Sequence, residues 1–155
     1  TWGNLASRAI AMVEKYCAGV VPATAESALD RADAADISAY HDAMDGLLLH
    51  EGLRRAMACV IRGNEFVQTS QPWALAKDPT RRSELEAALT ALVRALARHC
   101  VLLFPFMPSK TAEVWKQLGA QGELAGQRFD ALASLDAKEG RGQKGQPLFP
   151  KPQHP

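Results

Sequence analysis

Residues 81–104 read RRSELEAALTALVRALARHCVLLF. Leu85, Leu89, Leu92, Val93, Leu96 and Leu103 recur at steps of three and four, the period of one helix face. Alanine and leucine dominate and β-branched runs are scarce, which favours helix further. Thr80 is placed to cap the start, and Pro105 and Pro108 stop the end. This long helix must bury its stripe against others, and the flanking sequence supplies them.

Toward the N-terminus, Gln71-Pro72-Trp73 breaks the pattern. Proline disfavours helix at the residue before it but fits the first turn of a new one. Residues 73–77 are thus expected to form a short helical turn. Before the break, residues 51–69 carry Leu53, Ala56, Met57, Val60, Ile61 and Val67 at helical spacing. Asp36 would cap an earlier helix running to about His50, with Ile37, Tyr40, Met44, Leu47 and Leu48 as its buried stripe. These two stretches read equally well as one long, bent helix. Residues 20–35 read as an acidic, alanine-rich connection. Residues 3–18 form a first helix with Leu5, Ile10, Met12, Val13 and Cys17 on its apolar side, ended by Gly19 and Pro22.

Toward the C-terminus, Ser109 opens a helix through Leu118 with Val114 and Trp115 inward, stopped by Gly119. Beyond it the pattern fades. Residues 137–147 are rich in Gly, Lys and Gln and read as a linker. Pro147-Leu148-Phe149-Pro150 is too apolar for a free tail and predicts an extended segment docked on some surface. No strand pattern or internal repeat competes. The expectation is an all-α bundle of about five helices over residues 1–119, with an extended C-terminal extension over 120–155.

Composition narrows the function. The 155 residues suit one domain, with 47% hydrophobic and 23% charged residues. The net charge of +1 gives no global signal for nucleic acid. Charge is uneven, however: residues 1–50 hold three Lys/Arg against seven Asp/Glu, and residues 51–100 hold eight against five. A polyanion contact is therefore expected in the second half or at a local patch. Cys17, Cys59 and Cys100 are widely spaced and odd in number, which points to a reducing compartment and buried thiols. No run approaches the ~20 apolar residues of a membrane span. The first residues do not read as a signal peptide, and Thr1 at the start reads as a processed or excised segment.

Chemistry-bearing constellations are missing. No glycine-rich loop follows a strand. His41, His50, His99 and His154 show no metal-ligand spacing with one another or with the cysteines. His41 and Asp45 share a helix face, but two ligands do not make a site. His99 and Cys100 are adjacent and project about 100° apart, so they form no nucleophile–base pair. Asp42, Asp45, Glu84 and Glu86 read as a solvated face. Phe104 and Trp115 read as core, and Tyr16 and Tyr40 as partly buried with hydroxyls at the rim. Arg54, Arg55 and Arg62 lie near one face of the third helix, as a solvated face or as phosphate ligands.

Four stretches carry a resemblance. They are Gly3-Asn4-Leu5 with Arg8; Asn64 followed by Gln71-Pro72-Trp73-Ala74-Leu75-Ala76-Lys77-Asp78; Leu102-Leu103-Phe104-Pro105-Phe106-Met107-Pro108 with Thr111-Ala112 and Trp115; and Pro147-Leu148-Phe149-Pro150-Lys151. In this order and at these intervals, they resemble the C-terminal anticodon-binding domain of bacterial methionyl-tRNA synthetase, a class I aminoacyl-tRNA synthetase. Residues 20–50 and 120–146 contribute little to the likeness.

The resemblance implies a helix bundle that follows a class I catalytic domain and holds methionine tRNA by its CAU anticodon. Motifs like HIGH and KMSKS are absent, so the part that uses ATP and methionine would lie elsewhere. This segment alone would be inactive and hold no cofactor or metal. A cytoplasmic location follows from the resemblance, with tRNA and the catalytic domain of the same enzyme as partners, and neither membrane nor DNA. It also implies that Asn4, Arg8 and Trp73 read the first anticodon base, while Pro72 and Asn64 shape that site. The closing segment would return toward the catalytic domain, with Leu148 and Phe149 as anchor.

The chemistry fits that assignment. Sequence-specific RNA readers stack unpaired loop bases on aromatics and hydrogen-bond their edges. Asn4 and Arg8 are neighbours on one helix face, and together donate and accept as a cytosine edge requires. On the residues alone, Trp73 reads equally as a core lid, Asn4 as a helix cap and Arg8 as a surface charge. The competing functional reading is a non-catalytic helical domain that docks a protein through an exposed Leu/Met surface.

Overall fold

The computed structural model describes residues 1–120 and 122–127. Among these lie six α-helices: α1 Trp2–Cys17, α2 Ala28–Asp45, α3 Leu49–Ser70, α4 Pro72–Leu75, α5 Arg82–Leu103 and α6 Pro108–Gln117. No strand occurs among the described residues. The extension predicted beyond residue 127, including Pro147–Pro150, lies outside the described residues.

α5 is the centre of the bundle, touching α1, α2, α3, α4 and α6. It is buried almost all round: Leu85, Leu89, Leu92, Leu96, Leu102 and Leu103 are joined by Ala88, Ala91, Ala95, Ala97 and Cys100. A helix apolar on every side belongs inside the bundle. The predicted stripe is thus one side of a central pillar. Asp78, not Thr80, makes the start: its carboxylate accepts the Thr80 N–H at 2.9 Å and opens a 3₁₀ turn over Pro79–Arg81. Pro108 begins α6 at its first position, where a proline's missing N–H is harmless, so the helix opens one residue before Ser109. Trp115 is buried and donates its indole N–H to the Gly122 carbonyl at 2.9 Å. Phe104 is only partly buried at the rim of the core.

The largest departure is α2. It starts at Ala28, so Asp36 lies inside the helix rather than at its cap. Ser27 caps it instead, in a reciprocal capping box with Asp30. The sequence hides this start because, apart from Leu29, the first half of α2 turns carboxylates toward the bundle. Asp33 is fully buried and accepts from Arg62 of α3 at 2.9 Å and from Arg98 of α5 at 3.0 Å. Arg98 also pairs with Asp30, and Asp36 pairs with Arg62 at 2.6 Å and Arg55 at 3.1 Å. Burial alone would raise the Asp36 carboxyl, but Arg62 and Arg55 hold it below its ordinary range. Tyr40 belongs to the same helix and is buried, not at the rim. Its hydroxyl donates to the Leu102 carbonyl at 2.8 Å, and burial pushes its pKa up to about 12.

α2 and α3 are two helices, joined by the turn Gly46–Leu48. Leu47 has φ 60° and is 83% exposed; Leu48 is half exposed. The predicted burial of both fails, because the turn lies at the end of the bundle and no other described element covers it. On α3, Leu53, Met57 and Ile61 are exposed as well, in line with exposed Leu49. The buried side of α3 is Gly52, Ala56, Cys59, Val60, Gly63 and Val67. Periodicity shows that a helix has apolar faces, but not which of two faces is covered.

Candidate nucleic-acid interface

The corner at residues 70–75 follows from one left-handed residue and one proline. Gln71 caps α3 with φ 44°, its N–H reaching the Val67 carbonyl at 3.1 Å. The Gln71 carbonyl then accepts the Ala74 N–H at 2.8 Å, which restarts the chain as α4. Pro72 takes the first position of α4 and is buried. Trp73 comes next and is half-buried, packed on the core with part of its ring system open.

Arg8 of α1 crosses to this corner. Its guanidinium carbon is 5.7 Å from the Trp73 ring centroid, within the ~6 Å range of a cation–π contact. Among the described residues no carboxylate is paired with Arg8. Asn4 is exposed one turn earlier on the same face. It is the third residue of α1, with Thr1 at the cap position, so capping is not its task. Asn64 is half-buried, and its amide donates to the Val60 carbonyl at 3.0 Å, which ties it to its own helix. Of the five residues singled out in the sequence, Arg8 and Trp73 are in contact. Asn4 lies one turn from Arg8, Pro72 is buried immediately before Trp73, and Asn64 serves the helix backbone.

The arginines of α3 are committed elsewhere. Arg54 pairs with Glu51, Arg55 with Glu51 and Asp36, and Arg62 with Asp33 and Asp36. Neither a solvated face nor a phosphate-binding row describes Arg55 and Arg62. They are the ties that hold α2.

The three cysteines are unpaired with one another and buried, and burial pushes the Cys59 thiol up to about 12. His99 is fully buried; burial, then the nearby Arg98, pulls it down to about 3, so the ring is neutral. Among the described residues no three His, Cys, Asp or Glu side chains converge as metal ligands. No helix among them is long and apolar enough to cross a membrane. A second feature, at the crossing of α1, α3 and α5, has no signal in the sequence. Gly63 packs so closely under α1 and α5 that a Cβ there would sit 3.0 Å from Leu5 and 3.2 Å from His99.

Comparison with known proteins places this geometry. The family described as the anticodon binding domain of methionyl tRNA ligase matches residues 17–145. A methionine–tRNA ligase of Enterococcus faecalis is 32% identical over 155 residues, covering 96% of this chain and 23% of the relative. One from Halalkalibacterium halodurans is 33% identical, covering 96% and 24%. The chain therefore spans about a quarter of the length of these curated relatives. The apo crystal structure of Mycobacterium tuberculosis methionyl-tRNA synthetase superposes with a TM-score of 0.81 at 24% identity, covering 98% of this chain and 32% of that one. The same enzyme bound by methionyl-adenylate gives 0.76.

Proposed function

The chain belongs to the family of methionyl-tRNA ligase anticodon-binding domains, and from this we propose that its Arg8–Trp73 corner reads the first base of a CAU anticodon. The observation that carries the reading is the 5.7 Å contact between the Arg8 guanidinium and the half-open Trp73 indole. An unpaired cytosine stacks on the open part of the indole. Arg8 and Asn4, one helix turn apart, present donors and an acceptor to its edge. Pro72 fixes the direction of the ring, and Asn64, bonded to the Val60 carbonyl, shapes α3 on the way to the corner. ATP and methionine are handled outside this chain, in the remaining part of a methionine–tRNA ligase.

Filter binding of methionine tRNA and of variants with the anticodon cytosine replaced tests this. Trp73→Ala is expected to weaken binding of the CAU form by about 1–3 kcal/mol, the worth of one stacked base. Equal affinity for every first anticodon base contradicts the reading.

A second partner has its own observation. Leu49, Leu53, Met57 and Ile61 form an exposed apolar line on α3, continued by Leu47 and Leu48. Patches of this kind mark protein docking surfaces. Ile61, the member nearest the Trp73 corner, lies roughly 15 Å from it along α3, so a protein centred on Leu49 leaves the corner open to RNA. The remainder of the ligase polypeptide is the occupant we assign to it.

A further inference from the structure

We infer that the crossing at Gly63 is a specificity device: it sets the distance between Arg8 and Trp73, although none of its residues faces the RNA. The inference rests on the anticodon reading above. Three helices meet at this point. Gly63 is on α3, Leu5 on α1 and His99 on α5, and all three are buried. A Cβ at residue 63 would stand 3.0 Å from Leu5 Cδ2 and 3.2 Å from His99 Cε1. Leu5 is next to Asn4 and one turn from Arg8, while Gly63 is next to Asn64. The Leu5–Gly63 contact therefore joins the helix that carries Asn4 and Arg8 to the helix that leads through Gln71 into Trp73.

The contact is stiff. Leu5 is 1% exposed and His99 0%, so neither side chain can swing into solvent to make room. The neutral His99 ring completes the junction, fully buried and beside the Cys59 backbone of α3. Close-packed interiors pass such a misfit to the backbone. Here that means a shift of α1 against α3 by a few tenths of an ångström. The Arg8–Trp73 separation of 5.7 Å lies near the outer edge of a useful cation–π contact. A shift that small therefore weakens it. Gly63, Leu5 and His99 are positioning residues in this account, acting through Arg8.

The experiment measures binding of anticodon stem–loops carrying CAU and UAU to the wild-type chain and three variants, with a thermal melt of each. Gly63→Ala is expected to lower the CAU/UAU affinity ratio about three- to five-fold, the worth of an exposed cation–π contact. Gly63→Ala with Leu5→Val removes the Cδ2 that the new methyl meets. It is expected to recover most of the ratio without gaining melting temperature, since Val leaves a gap. A purely structural role would move ratio and stability together. Should Gly63→Ala be too unstable to assay, His99→Ala opens the same crossing from the α5 side and is expected to lower the ratio. An unchanged ratio in whichever of these variants is assayed, or no recovery in the double variant, overturns the inference. Trp73→Ala separates the two claims: if it leaves the ratio untouched, the anticodon reading itself fails. If it abolishes the ratio while Gly63→Ala preserves it, only the role of the crossing fails.

Discussion

Leu47 is held in a conformation that leucine resists. Its φ of 60° belongs to the left-handed region, where a Cβ costs roughly 1–2 kcal/mol. The position follows the end of α2, and the Leu48 N–H reaches back to the Ala43 carbonyl at 2.8 Å, as in a glycine-terminated helix. Its side chain is also 83% exposed, so burial returns nothing for the strain. Leu47→Gly is therefore expected to stabilise the chain by about 0.5–1 kcal/mol, seen as a raised urea midpoint with unchanged slope. The site residues divide on the same principle of what surrounds them. Arg8 and Trp73 are singled out in the sequence because their types and order match a known pattern, and the structure brings the two side chains into contact. Gly63 is not legible, because a glycine inside a helical run looks the same whether its missing side chain faces solvent or two other helices.

At the scale of elements, α2 shows why part of the fold escaped the sequence. The other long helices carry leucine, valine or alanine at the period of the covered face, and the pattern reports them. On α2 the decisive positions are Asp30, Asp33 and Asp36, whose partners are up to 68 residues away. Hydrophobic periodicity is silent about a face that is buried by pairing with arginine. The exposed line on α3 is the converse: its apolar residues look like core by spacing but face outward. The charged seam has a steep cost if cut. Asp33 joins Arg62 and Arg98, and the Arg98 side chain is only 6% exposed. Asp33→Ala leaves that guanidinium short of a partner in the interior and is expected to destabilise the chain by about 3–5 kcal/mol. A double-mutant cycle with Arg98→Met should recover a substantial part, which equilibrium unfolding in urea will show.

Across the whole molecule the two ends of α3 do different work. One end carries the Pro72-Trp73 corner with Arg8 across it; the other carries Leu47, Leu48 and Leu49 in the open. The α5 pillar and the α2 ion pairs hold α3 rigidly between them, so the corner is presented as a preformed surface. In the proposed reading an RNA base stacks there without the chain having to order itself first. The three tryptophans allow this to be read directly. Trp2 and Trp115 are each 4% exposed in the core, and Trp73 alone is half-open. The indole N–H resonances of an isotope-labelled chain, followed by NMR during titration with anticodon stem–loops, give one signal for each. A saturable shift of the Trp73 signal is expected with the CAU loop, a much weaker one with UAU, and little change at Trp2 and Trp115. A Trp73 signal that stays put with CAU, or moves equally with both loops, would contradict it.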